Sequence, residues 1–167
     1  MNAVVLVAHP DDELLFAGQL MANNPDWEWT EVCLTNGRAF PGISLGFADE
    51  WRILHRREYE QWRSAVDGLG LTPDLVVTHN RMGEYGHPHH MAVHAIAHEL
   101  FPRVWDFYTE TPSSVGPQMI GERAWSIPAM PEKRDLFEAR YPGVYAELAS
   151  DKPDLIRDVF AREWFTA

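Results

Sequence analysis

The sequence predicts an α/β fold: a single-domain, Rossmann-like three-layer sandwich around a mostly parallel sheet. Three observations lead there. Short apolar runs alternate with helix-period segments through the first 108 residues. The first run, Ala3-Val4-Val5-Leu6-Val7, shows no polar alternation, as expected of a strand buried on both faces. The chain has 167 residues, enough for one domain with a full core, and contains no repeat, linker or low-complexity tract.

The elements follow in order. Residues 3–8 read as the first strand, and His9, preceding Pro10, is biased toward extended backbone. Asp11 to Ala22 reads as a helix with acidic residues in its first turn, where the macrodipole favours them. Its apolar face carries Leu14, Leu15, Gly18 and Met21. Glu31 to Thr35 is a second strand, ending in a loop at Asn36-Gly37-Arg38. A long helix over Asp49 to Leu69 offers Trp51, Ile53, Leu54, Trp62, Ala65, Val66 and Leu69 to the core, with Gly70 as its C-cap. Leu75 to Thr78 is a third strand, His89 to Leu100 a helix and Arg103 to Tyr108 a fourth strand. Residues 109–131, with four prolines and two glycines, read as loops with a short strand near Ala124 to Ile127. Pro131 opens a helix through Tyr141, and a last helix runs from Pro153 to about Phe165.

Composition removes several function classes. A net charge of −11 argues against nucleic-acid binding and against docking on an anionic membrane. Cys33 is the only cysteine, so an intrachain disulfide and a cysteine-based zinc knuckle are both excluded. No stretch approaches the ~20 apolar residues of a membrane span. The apolar N-terminus has no basic flank and runs straight into acidic residues, so a cytoplasmic protein is expected. The partner expected is a small molecule, with no nucleic acid and no membrane. The oligomeric state stays open, a homo-oligomer included.

Chemistry is concentrated behind two strands. Ala8-His9-Pro10-Asp11-Asp12-Glu13 places one imidazole and three carboxylates at the tip of the first strand. Charge there is costly unless a cation binds, and ligands of open α/β sheets bind beyond the carboxyl ends of strands. Glu84-Tyr85-Gly86-His87-Pro88-His89-His90 follows the third strand, and five of the eight histidines fall between His87 and His98. A His/Asp/His set with an open position is a catalytic zinc arrangement. Arg38, at the end of the second strand, lies in the region expected for a substrate contact. His55 and His79 have no partners in sequence and read as structural.

The two blocks together resemble the PIG-L / LmbE-like family of zinc-dependent de-N-acetylases, which carries A-H-P-D-D-E after its first strand and H-P-D-H after a later one. The resemblance covers about the first 110 residues, and Glu132-Lys133-Arg134 at a late helix is also family-like. It implies an LmbE-like domain over residues 1–167 that removes an acetyl group from an N-acetylated amino sugar or conjugate. By the same resemblance His9, Asp12 and His90 bind zinc, and Asp11 is the base that activates water held on the metal. His87 protonates the leaving amine or stabilises the oxyanion, and Tyr85 turns toward the substrate carbonyl. Arg57 falls where the family has a substrate-contacting arginine, with Arg56 beside it as the other alignment. Ferrous iron or another divalent ion suits the same ligand types. One departure stands out: His89 occupies the position where the family usually has aspartate. Such a group fixes the tautomer of a neighbouring imidazole, so the orientation of His87 is open, with Glu84 as a substitute partner.

Other readings stay open at this point. The site suits a metal-dependent hydrolase of another amide or ester bond, or a catalytically silent, metal-stabilised binding protein. His90, His94 and His98, at i, i+4 spacing, form a rival metal set that leaves His9 and its carboxylates unexplained. Against a nucleotide-binding reading stand the lack of a glycine-rich phosphate loop after the first strand and the carboxylates there, which would repel phosphate.

Overall fold

In a computed structural model that describes residues 1–109 and 125–166, seven strands form one sheet. They are β1 (Asn2–Val7), β2 (Glu28–Thr35), β3 (Ile43–Phe47), β4 (Leu75–Thr78), β5 (Val104–Tyr108), β6 (Trp125–Pro128) and β7 (Arg162–Thr166). Their order is β3-β2-β1-β4-β5-β7-β6. The pairings from β3 through β5 are parallel; β7 pairs antiparallel with β5 and with β6. The mostly parallel α/β sheet expected from the sequence is therefore present.

The helices are α1 (Asp12–Asn23), α2 (Arg56–Asp67), the single turn α3 (Gly83–Gly86), α4 (Pro88–Leu100), α5 (Glu132–Arg140), α6 (Val144–Asp151) and α7 (Pro153–Val159). Successive side chains of β1 point to opposite faces of the sheet. Val5 and Val7 join one core with Leu14, Phe16 and Leu20 of α1 and Phe137, Leu155 and Val159 of the later helices. Val4 and Leu6 join the other, with Trp62 and Val66 of α2 and Val93 and Ile96 of α4. Burial on both faces is what the unbroken apolar run of β1 requires. Cys33 is buried in the first of these cores.

This topology locates the crevice. β1 lies between β2 and β4, so consecutive connections leave its neighbourhood in opposite directions. The carboxyl ends of β1 and β4 then diverge at a switch point, the general ligand position of such sheets.

The structure differs from the expectations in several places. The sequence reading does not predict the edge strand β3, although Ile43, Leu45 and Phe47 alternate with Ser44 and Gly46; its residues are half-buried or exposed, as at a sheet edge. α2 begins at Arg56 rather than Asp49. Arg52 donates to Glu50 and Glu58, and the amide of His55 donates to Glu58 (2.9 Å), which closes the helix start there. Trp51 and Ile53, expected in the core, are 62% and 75% exposed. The C-cap is Gly68 rather than Gly70. The expected last helix stops at Val159, and residues 162–166 form β7 instead. There Glu163 and Phe165 are buried while their neighbours are less so, a two-residue period that fits between β5 and β6. α6 was also unanticipated, whereas β6 falls at the expected short strand. The loops expected over residues 110–124 lie outside the described residues. Among the described residues, no helix is long and apolar enough to cross a membrane.

Candidate active site

Two strained residues mark the crevice. Asp11 (φ 112°) and Glu84 (φ 52°) are the non-glycine residues with positive φ among those described. Such conformations cost on the order of 1–3 kcal/mol each and persist only where their surroundings hold them. The Asp11 amide donates to Glu13 Oε2 (3.0 Å). Glu13, fully buried, accepts in turn from the Tyr141 hydroxyl (2.7 Å) and from Arg140 (3.2 Å). The third carboxylate of the N-terminal motif is thus a brace, anchored by residues near the end of α5.

The imidazoles of His9 and His90, 81 residues apart in sequence, meet over the Asp12 carboxylate. Nδ1 of His9 lies 3.2 Å from Oδ2 of Asp12 and 3.1 Å from Nε2 of His90. Nε2 of His90 lies 3.4 Å from the same oxygen. A tetrahedral zinc site with bonds of about 2.0–2.1 Å has ligand-to-ligand edges of about 3.3–3.4 Å. The triangle therefore has the donor chemistry and nearly the dimensions of three corners of such a site. Other nearby sets could also hold an ion: His9, His87 and His90; Asp12, His79 and His90; and His9, Asp49 and His89.

Glu84 stands behind this cluster. Its Oε2 contacts Nδ1 of His90 (2.5 Å) and Nδ1 of His79 (2.9 Å), and its Oε1 accepts from the Asn80 amide (3.0 Å). A carboxylate on one ring nitrogen leaves the other nitrogen available as a ligand. The Ala8 amide donates to Nε2 of His79 (3.0 Å), which puts that ring's proton on Nδ1, facing Glu84.

The charges follow from these contacts. Burial pushes Asp12 up, but His90, His79 and His9 outweigh it and hold the carboxyl well below its ordinary range. Glu84 behaves likewise: burial opposes ionisation, yet His79 and His90 bring it down to about 2. Burial lowers His9, while Asp12 and Asp49 raise it further, to about 10. Asp11 is pushed well up by burial and by Asp12. His87 is pushed down by burial and by the His90 and His9 rings.

A cavity of about 560 Å³ opens over the cluster, with His9, Asp11 and Asp12 on its lining. Arg38 borders it, 3.8 Å from Asp11 and 3.0 Å from Glu147. Tyr85 and His87 line the same space; His87 Nδ1 accepts from the His89 amide (3.2 Å). Arg57 does not join them: it is exposed on α2 and absent from the cavity lining. His89 is buried, 3.3 Å from His9, with its ring edge-on to Trp62. Glu84 contacts His79 and His90 rather than serving His87 in place of an aspartate.

Sequence reasoning missed His79, Asp49 and Trp51. His79, read as structural, lies 3.4 Å from Asp12. Its signal was available, because it directly follows β4 at the edge that carries the ligands. Asp49 is 3.2 Å from His9, and Trp51 stands edge-on to His87 at 4.1 Å between ring centroids. Both lie in the stretch where the sequence predicts helix, but the helix begins only at Arg56. The C-terminal part adds Leu148, Lys152 and Leu155 to the cavity wall.

Residues 4–71 match the PIG-L family, described as GlcNAc-PI de-N-acetylase. Over that segment the chain is similar to the PIG-L family. The matched segment runs from β1 through α2 and so contains His9, Asp11 and Asp12. An uncharacterised protein of Acanthamoeba polyphaga mimivirus is 25% identical over 152 aligned positions, which cover 71% of this chain and 66% of the relative. A deacetylase of the teicoplanin biosynthesis pathway superposes with a TM-score of 0.61 at 16% identity, covering 99% of this chain and 97% of that one. N,N'-diacetylchitobiose deacetylase from Pyrococcus horikoshii superposes at 0.54 and 12% identity, covering 92% and 75%. At these identities the superpositions establish a shared fold.

Proposed function

We propose that this chain, as one domain, is a cytoplasmic zinc-dependent de-N-acetylase acting on an N-acetylated amino sugar or sugar conjugate. The triangle of His9, Asp12 and His90 carries the reading, at the switch point of a sheet shared with named deacetylases. The match of residues 4–71 to a de-N-acetylase family supports the same chemistry. We assign His9, Asp12 and His90 as the residues that hold the metal. A divalent cation there would supply Lewis acidity toward an acyl oxygen and acidify water.

The remaining work falls to the chain's own side chains. Asp11, on the cavity lining beside Asp12, takes a proton from the attacking water. The water oxygen bonds to the acyl carbon, and the negative charge passes to the former carbonyl oxygen. His87 faces that charge with its Nε2–H, since its Nδ1 accepts from the His89 amide. Tyr85 lines the same wall and offers a second donor. Asp11 returns its proton to the nitrogen as the C–N bond breaks, and acetate and a free amine leave. Arg38 and Lys152, at the rim, position the rest of the substrate.

The test is amine release from N-acetylglucosamine and N,N'-diacetylchitobiose by the full chain, with and without a chelator. Turnover should vanish with the chelator and return with Zn2+. Asp11→Asn should abolish turnover while leaving Zn2+ content unchanged. Chelator-resistant release, or a rate that survives Asp11→Asn, would overturn the scheme.

A further inference from the structure

The imidazole stripe of α4 continues past the candidate active site. His94 and His98 follow His90 at successive four-residue steps, so all three lie along one side of the helix. His90 turns toward Asp12 and Glu84. The next two turn toward Asp106 on β5, which sits opposite Thr78 of β4 in the parallel register. Nε2 of His98 lies 2.9 Å from Oδ1 of Asp106, and Nδ1 of His94 lies 3.3 Å from the same oxygen. The two rings are 4.3 Å apart between centroids. Nδ1 of His94 also donates to the main-chain oxygen of His79 (3.0 Å), which leaves Nε2 as that ring's ligand nitrogen.

We propose that His94, His98 and Asp106 form a second binding site for a first-row divalent cation, separate from the candidate active site. One ligand atom from each residue lies within 4.8 Å of the other two. An i, i+4 histidine pair on a helix presents two nitrogens to one ion, and the strand carboxylate supplies the third ligand from a different element. Two imidazoles and one carboxylate select Zn2+, Ni2+ or Cu2+ over Mg2+ or Ca2+, which prefer an all-oxygen shell. The site is reachable, because the His98 side chain is 45% exposed while His94 and Asp106 are largely covered. A chain with net charge −11 also concentrates cations at its surface. With three ligands and an open side, this site binds more weakly than a closed four-ligand shell. Nothing in it depends on the deacetylase reading.

The experiment titrates the stripped full chain with Zn2+ alone, against a competing chromophoric chelator. Wild type should show a weaker phase besides any binding at the first site. His98→Ala and Asp106→Asn should each remove the weaker phase, while His55→Ala, at an exposed histidine elsewhere, should leave it intact. Because His98 is half-exposed, its truncation leaves the fold in place, and the circular dichroism spectrum checks that. Paramagnetic Cu2+ should broaden the His94 and His98 imidazole resonances in wild type. The proposal is overturned if no Zn2+ phase depends on His98 and Asp106, or if Cu2+ leaves both resonances sharp.

Discussion

A carboxylate that contacts two imidazoles fixes both rings, and Glu84 does this for His79 and His90. Its own backbone is strained at φ 52°, so the carboxylate is held in place at a cost. Glu84→Gln keeps the shape but removes the charge, and it places an amide nitrogen where a ring N–H already points. The expected outcome is a 10- to 100-fold loss of apparent Zn2+ affinity, roughly the effect of losing a group behind a metal ligand. Competition with a chromophoric chelator measures it, and an unchanged circular dichroism spectrum excludes unfolding. Legibility in the sequence follows the same division. His9 and Asp12 could be read because they sit in a compact motif directly behind β1, and His90 because it belongs to a dense run of histidines after β4. The partners of His79 could not, because its contact with Ala8 spans 71 residues and arises only from the pairing of β1 with β4.

At the scale of elements, the C-terminal part holds the N-terminal helix. Lys133 of α5 is buried and donates to the carbonyl oxygens of Leu15 and Val159 and to Glu163, each at 2.7 Å. Glu163 of β7 accepts from the amides of Gln19 (2.6 Å) and Leu20 (2.9 Å) within α1. A buried pair contributes little net stability, but removing one partner strands the other, at a cost of about 3–5 kcal/mol. Lys133→Met should therefore destabilise by about that amount in urea unfolding. Adding Glu163→Gln should recover part of the loss, since it removes the stranded charge while its one amide oxygen still accepts from one of the two α1 amides. The double variant melting below the single one would refute this account. The clamp also shows why β7 escaped the sequence reading. Arg162–Thr166 is short and follows a helical run, and only the gap between β5 and β6 makes it a strand. Trp51 escaped similarly: an aromatic on an assumed helix reads as core, whereas the Arg52–Glu58 pairing delays the helix and leaves the ring at the cavity rim.

Over the whole molecule, the inner parallel strands β1, β2, β4 and β5 were legible because burial leaves short apolar runs, whereas the edge strand β3 was not. The site they position is a different matter energetically. His9, His79, His87, His89 and His90 crowd round a few carboxylates beneath the cavity. A cation that binds only this folded arrangement stabilises it by mass action, by about 4 kcal/mol when free metal is about a thousandfold above its dissociation constant. For a domain near this size, each kcal/mol moves the melting temperature by roughly 2–4 °C. Zn2+ should therefore raise the melting point by about 8–16 °C over the chelated protein, and Asp12→Ala should lose most of that shift. The sign of the pH dependence follows from His9. In the metal-free chain its pKa is raised to about 10, so it carries a proton at neutral pH that a metal must displace. Binding thus releases a proton, and apparent affinity falls as pH is lowered, by about tenfold per pH unit for each proton released. The thermal shift at fixed total Zn2+ should accordingly shrink from about pH 8 to about pH 6, as imidazole protons compete with the ion. Differential scanning fluorimetry across that range reads it directly, and a shift that grows on acidification would exclude His9 as a ligand.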